Sequence, residues 1–203
     1  QDFITFVEDK AVTATLAITK GLRLLQLASG FAKTAGGDEV PLKENPKQEA
    51  LKAILEDLAP NHKTLVWCVF KQNYKQVREV CEQLGLGLVE ITGDQTEKQK
   101  QESVQRFRND PSVRVLCGHP QSGGVGLNLI EASYMVFYSR NFSLENDIQA
   151  EARCYRGGSE RHETINRIDL VMEGTVEELV SKTLANKQEV SLEILTKWAR
   201  DED

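Results

Sequence analysis

"TLVWCVFKQNYKQVREVCEQLGLGLVEIT", Thr64–Thr92, sets the architecture. Its first seven residues form an apolar run without alternation, the pattern of a strand covered on both faces. Tyr74–Leu84 then reads as a helix, and Leu86–Thr92 as a second strand. Two strands joined by a helix lie parallel, because antiparallel neighbours need only a short hairpin.

The rhythm continues toward the C-terminus. Gln95–Arg108 reads as a polar helix and Val113–Gly118 as a strand. The glycine-rich "SGGVGLNL", Ser122–Leu129, follows. Tyr134–Ser139 is a strand, Leu144–Arg156 a helix, Ile165–Met172 a strand, and Val176–Trp198 a long helix. Upstream, Lys47–Leu58 is amphipathic, with Leu51, Ile54, Leu55 and Leu58 on one stripe. Before Pro46, "AVTATLAITKGLRLLQLASGF" reads as a helix stopping at Ser29–Gly30. "AKTAGGDEVPLKENP" then reads as loop, with a short extended stretch at Val40 and Leu42. Alternating strands and helices predict an α/β domain of three layers, a mostly parallel sheet with helices on both faces. The expected organisation is a helical lead-in over residues 1–45 and the α/β domain over 46–203. Ligands of such domains bind at the carboxyl ends of the strands, and the unusual residues of this chain cluster there.

The chain has 203 residues and a net charge of −6, which excludes a protein that coats nucleic acid by bulk charge. A local basic groove stays compatible with that total, since partners respond to the local field. Cys68, Cys81, Cys117 and Cys154 have neither zinc-ligand nor redox spacing, so they read as reduced thiols of an intracellular protein. No stretch reaches the ~20 apolar residues needed to cross a bilayer, so no membrane partner is expected. The chain begins at Gln1 in mid-pattern, as a piece of something longer would.

Two near-motifs fail. "GFAKT", Gly30–Thr34, lacks both glycines of the phosphate-binding G-x-x-x-x-G-K-[ST] loop. Asp38–Glu39 lacks the apolar strand that presents an acid to Mg²⁺, and the "HET" at His162 lacks a second histidine. No metal ligands are assigned.

The helix from Leu144 carries a different signal. Ser143 suits its N-cap, and Glu145 and Asp147 suit its positive end. Leu144, Ile148, Ala152 and Tyr155 fall on one stripe, Gln149, Arg153 and Arg156 on another, and Gly157 ends the helix. Taken alone, the arginines fit either a solvated face or an anion site. Upstream, Gly123, Gly124 and Gly126 suit either a tight turn or a close approach of backbone to phosphate.

Together, "SGGVGLNL" and "ASYMVFYSRNFSLENDIQAEARCYRGGS" resemble motifs V and VI of the Swi/Snf-type ATPases of helicase superfamily two. Motif VI has the form Q-A-x-D-R-x-x-R-x-G-Q. The chain keeps Gln149, Ala150, Arg153, Arg156 and Gly158, and departs at Ala152, Tyr155 and Ser159. "TLVWCVFKQN", "ITGDQTEKQKQESVQRF" and "GTVEELVSKTLANK" extend the resemblance across residues 47–190.

The resemblance implies a RecA-like second lobe of a double-stranded DNA translocase or remodeller. Its partners are DNA, held by the backbone, and the N-terminal lobe of the same protein, which carries the phosphate loop. ATP and Mg²⁺ serve the intact two-lobe protein, and this chain alone holds neither and is expected to be inactive. Arg153 and Arg156 take the role of arginine fingers, and Gln149 links nucleotide to lobe closure. Gly124, Gly126 and Asn128 are implied on the nucleotide side. Lys71, Asn73, Gly93, Asp94, Gln95, Ser122 and Gly123 are implied on the DNA side. The departures keep a catalytically silent binding module open as an alternative, and the shared fold keeps an RNA helicase lobe open. The divergent "CYRGGS" leans toward a bacterial or phage source, hence cytoplasm or nucleoid.

Overall fold

The structure is a computed structural model that describes residues 10–122, 127–187 and 190–191, with side chains of the first helix described from Ile18 onward. Helix α1 (Lys10–Ala28) leads into a hairpin of β1 (Phe31–Lys33) and β2 (Glu39–Pro41). There follow α2 (Pro46–Leu58), β3 (Thr64–Trp67), α3 (Lys71–Leu84), β4 (Gly87–Ile91), α4 (Glu97–Asn109) and β5 (Val113–Gly118). The chain continues through β6 (Tyr134–Phe137), α5 (Leu144–Ala152), a 3₁₀ turn at Ser159–Arg161, β7 (Asn166–Asp169) and α6 (Val176–Ala185).

Strands β3 to β7 form one parallel sheet in the order β4-β5-β3-β6-β7, so the expected α/β architecture stands. The central strand β3 pairs with β5 on one side and β6 on the other, with Leu65 opposite both Leu116 and Met135. Alternate residues feed opposite layers. Leu65, Trp67, Met135 and Phe137 pack with Val104 and Phe107 of α4 and Ala150 of α5. Val66, Cys68, Val136 and Tyr138 pack with Leu51 and Leu55 of α2 and Val77, Val80 and Cys81 of α3. This two-sided burial is why the strands read as unbroken apolar runs. All four cysteines are free and buried in these layers.

The lead-in is tied to the sheet by polar contacts. Ser29 O accepts from Asn73 Nδ2 and Gln76 Nε2, both at 3.2 Å. The Tyr138 hydroxyl donates to Gln76 Oε1 at 3.0 Å and accepts from Asn45 Nδ2 at 3.2 Å. Lys47, buried at the start of α2, donates to Glu177 Oε1 at 2.5 Å and to Tyr138 O at 3.0 Å. Leu25 of α1 joins Val176, Val180 and Leu184 of α6 in a third apolar cluster. Gly30 needs its glycine: its φ is +82°, and a Cβ there would stand 2.3 Å from Asn45 Nδ2.

Three expectations are corrected. The segment read as loop after Gly30 contains the β1–β2 hairpin, anchored by Phe31 packed edge-on against Phe70, with ring centroids 5.5 Å apart. Thus "GFAKT" is a helix stop followed by a strand. Helix α6 ends at Ala185, not Trp198: Asn186 caps it and Lys187 takes a left-handed φ of 55°. The remainder of the expected helix falls largely outside the described residues. Helix α5 stops at Ala152, four residues early, with Arg153 as its C-cap.

Candidate functional site

Helix α5 starts as its sequence suggests, with Ser143 Oγ accepting from the Asn146 N–H at 3.2 Å. Its buried face is not the apolar stripe. Ile148 is 45 % exposed and Tyr155 55 %, whereas Asn146, Asp147 and Ala150 are buried. The physical reason is a set of ion pairs on the sheet side. Arg167, in β7, forks onto Asp147 with Nη1–Oδ2 and Nη2–Oδ1 distances of 2.9 Å. The same guanidinium bonds Glu151, one turn further along α5, and donates from Nε to Asp169 Oδ1 at 3.0 Å. Arg140, following β6, pairs with Asp169 and stands 3.7 Å from Asp147. Lys187 Nζ reaches Glu151 Oε2 at 3.0 Å. Arg140 and Arg167 also lie over the Phe137 ring, at 4.6 and 4.2 Å from its centroid. Bidentate guanidinium–carboxylate pairs fix orientation as well as distance. Sequence reasoning missed this clamp. The available signal was Arg167 itself, a cation inside a strand of a mostly buried sheet, which requires a carboxylate.

Beyond Ala152 the chain tightens: Arg153 N–H donates to Ala150 O and Cys154 N–H to Glu151 O. The two arginines therefore leave the helix rather than ride one stripe. Arg153 is 7 % exposed, and burial first, then the charge of Arg156, hold its guanidinium below the ordinary value. A neighbouring cation that lowers Arg153 in this way marks a spot where an anion is favoured. Arg156 is exposed, with Nε donating to Ala152 O at 3.2 Å. Gln149 is half-buried and held by Glu145 Oε1 at 2.9 Å. Arg153 O accepts from Leu129 N–H at 3.1 Å, so the segment after the glycine run is fastened to the arginine turn. Gly158 has φ +101°, and a Cβ there would meet Ile130 Cδ1 at 2.6 Å, so the turn needs glycine.

The parallel sheet brings the ends of β3, β4 and β5 to one edge. Lys71, first residue of α3, meets Asp94 at 3.3 Å, and both side chains are 83 % exposed. Gly93 is exposed, and a Cβ built on it would be 4.0 Å from Ser122 Oγ, which places these loops side by side. His119 accepts at Nδ1 from Gln121 N–H at 3.1 Å, and burial lowers its imidazole below the ordinary value.

Two expected contacts do not belong to this surface. Asn73 is 0 % exposed, with its amide on Ser29 O and Gln76 Oε1, because α3 turns that face toward α1. Gln95 folds back, accepting from Thr92 N–H at 2.9 Å and donating to Glu90 O at 3.1 Å, so it staples the end of β4. Asn128 is half-buried, and its Oδ1 meets no partner among the described residues. Gly123, Gly124 and Gly126 lie outside the described residues. Among the described residues no cluster of His, Cys, Asp or Glu is placed to hold a metal, and no helix is long and apolar enough to cross a membrane.

The family model described as "Helicase conserved C-terminal domain" matches residues 46–158. The chain is 30% identical over 170 residues to the human "DNA repair and recombination protein RAD54B", covering 80% of this chain and 18% of that protein. It is 34% identical over 147 residues to "Helicase SWR1" of Yarrowia lipolytica, covering 70% of this chain and 8% of that protein. The chain thus spans less than a fifth of these relatives. Its fold is similar to the "Sulfolobus solfataricus SWI2/SNF2 ATPase C-terminal domain", with a TM-score of 0.63 at 21% identity over 91% of this chain and 72% of that one. None of these similarities supports the bacterial or phage source. The chain belongs to the helicase conserved C-terminal domain family, and its fold is that of a SWI2/SNF2 ATPase C-terminal domain.

Proposed function

We propose that this lobe completes the ATPase site of a double-stranded DNA translocase by presenting Arg153 and Arg156 to the γ-phosphate held on the opposite lobe. The observation that supports it is the pair of guanidinium groups at the end of α5, Arg153 buried and Arg156 exposed beside it. A polyphosphate fits this donor set. Guanidinium stays charged and offers a planar fork of N–H donors. Phosphoryl transfer spreads negative charge over the γ-phosphate oxygens, and an arginine supplied from outside the phosphate loop is worth about 10³–10⁵ in rate. Gln149, beside Glu145 on the same helix, senses closure, and Asn128 Oδ1 offers a free acceptor on the nucleotide side together with Gly124 and Gly126. Mg²⁺ is assigned to the opposite lobe, and the isolated chain is inactive.

DNA lies along the carboxyl edge of the sheet. Lys71, Gly93 and Ser122 with Gly123 are the remaining contacts, and Asp94 sets Lys71 in place. Backbone N–H groups and a lysine hold phosphate without reading bases, which suits translocation with little sequence preference. The test is DNA-stimulated ATP turnover by the complete protein carrying Arg156→Ala. A loss of several orders of magnitude supports the reading, and turnover within a few-fold of the parent ends it.

A further inference from the structure

We propose that Arg167 is a positioning residue for the arginine turn: from β7 it grips α5 at two points and so fixes where Arg153 and Arg156 are delivered. The proposal rests on the finger reading above.

The geometry is that of a lever held at two places. Asp147 and Glu151 stand four residues apart, about 6 Å along the axis. One guanidinium holds both, with the fork on Asp147 at 2.9 Å and a further bond to Glu151. A single contact would leave α5 free to roll about its axis. Two contacts on one face remove both roll and tilt. Arg153 follows Glu151 by two residues and caps the helix, so the orientation of α5 passes directly into the turn. The grip is itself fixed, because Arg167 lies over the Phe137 ring and donates to Asp169 in its own strand.

The apolar contact of this face is small, Ala150 against the sheet. Asn146 and Asp147 are buried there with Ala150, while Ile148 and Tyr155 point outward. Ion pairs add directional bonds to the shape fit that packing supplies, and so define the rotation of α5. Arg167 touches neither nucleotide nor DNA in this reading. It acts through α5, and displacement of a catalytic group by about 1 Å costs about 10²-fold in rate.

The experiment uses the complete protein and compares Arg167→Gln with Glu151→Gln, a half-buried position where loss of one grip leaves the Asp147 fork in place. ATP turnover, KM for ATP and the thermal midpoint are measured for each, alone and combined with Arg156→Lys. The expected result is a fall in kcat of about 10²-fold for Arg167→Gln and about tenfold for Glu151→Gln, with KM within about twofold. In the Arg156→Lys background the same substitutions add less than about threefold, because residues acting as a unit are not additive. Should Arg167→Gln fail to fold, Glu151→Gln carries the test. If Arg156→Lys lowers kcat but the folded Arg167 and Glu151 variants do not, the positioning role is overturned and the finger reading survives. Full additivity in the double variants overturns it in the same way. If Arg156→Lys and Arg156→Ala both spare turnover, the finger reading fails and takes this proposal with it.

Discussion

Helices α3 and α5 both pack on the central sheet, and they do so by opposite means. Helix α3 buries Val77, Val80 and Cys81 among the side chains of Val66, Cys68 and Val115. Helix α5 buries Asp147 and Asn146 and leaves Ile148 exposed. Apolar packing is non-directional and roughly proportional to area, so the helix's own periodicity discloses it. Ionic docking depends on where the counter-charges stand, and those are Arg140 before the helix and Arg167 after it. A local pattern contains one half of such an interface.

The largest expected effect separates chemistry from packing. Arg156→Ala should lower DNA-stimulated kcat of the complete protein by about 10³–10⁵, roughly 4–7 kcal/mol of barrier. The thermal midpoint of this lobe should hardly move, since Arg156 is exposed and its helix-end role is worth about 0.3–1 kcal/mol. A lowered midpoint with turnover spared would make α5 a purely structural helix.

On the apolar side, Leu55→Ala in α2, beside α3, should destabilise the fragment by about 4 kcal/mol in urea unfolding, because Leu55 is fully buried. A change under about 1 kcal/mol would show that this layer is loosely packed and the contrast overstated. On the ionic side, Arg167→Ala should cost about 2 kcal/mol in the same assay. That lies below the usual range for breaking a buried pair, because Arg140 still faces Asp147. If the two substitutions cost the same, the two docking modes are energetically alike.

Acid should weaken the ionic side. Burial raises the Glu151 carboxyl, but hydrogen bonds from Lys187 and Arg167 and their charges outweigh it, leaving the carboxyl below its ordinary value of 4.5. A depressed carboxyl stabilises the fold above the unfolded value and loses that contribution as pH falls through the folded one. Unfolding midpoints below pH 4.5 should therefore fall less steeply in Glu151→Gln than in the parent. Parallel curves would remove Glu151 from the clamp. The smallest effect is at the strand edge: Lys71→Ala, in an exposed pair with Asp94, should change stability by less than about 0.5 kcal/mol. It should lower the salt dependence of DNA binding by about 0.9 in slope, as loss of one phosphate contact does.

The sheet was legible because parallel strands covered on both faces write continuous apolar runs, and "TLVWCVF" and "YMVFYS" are such runs. The motif helix was legible in kind but not in orientation. Its apolar positions, Ile148 and Tyr155, face outward, and its length was shortened by a turn fastened to the distant Leu129 N–H through Arg153 O. Asn73 looked like a surface amide after a strand, yet its partner Ser29 lies 44 residues upstream, beyond any local window. The hairpin escaped because its strands have three residues each and β2 is exposed throughout. Such strands carry too little pattern to be distinguished from loop.

The amides of Asn73 and Gln76 have a further consequence. The family model's match begins at residue 46, but the acceptor those amides share, Ser29 O, lies before it. A protein cut at that similarity boundary would be missing the acceptor, together with Asn45 and the Phe31 ring that meets Phe70. It would expose the inner side of α3 to water and leave two buried donors to find new company. The unit that folds is therefore longer than the segment the family model matches, and a self-sufficient lobe must carry its leading helix and hairpin with it.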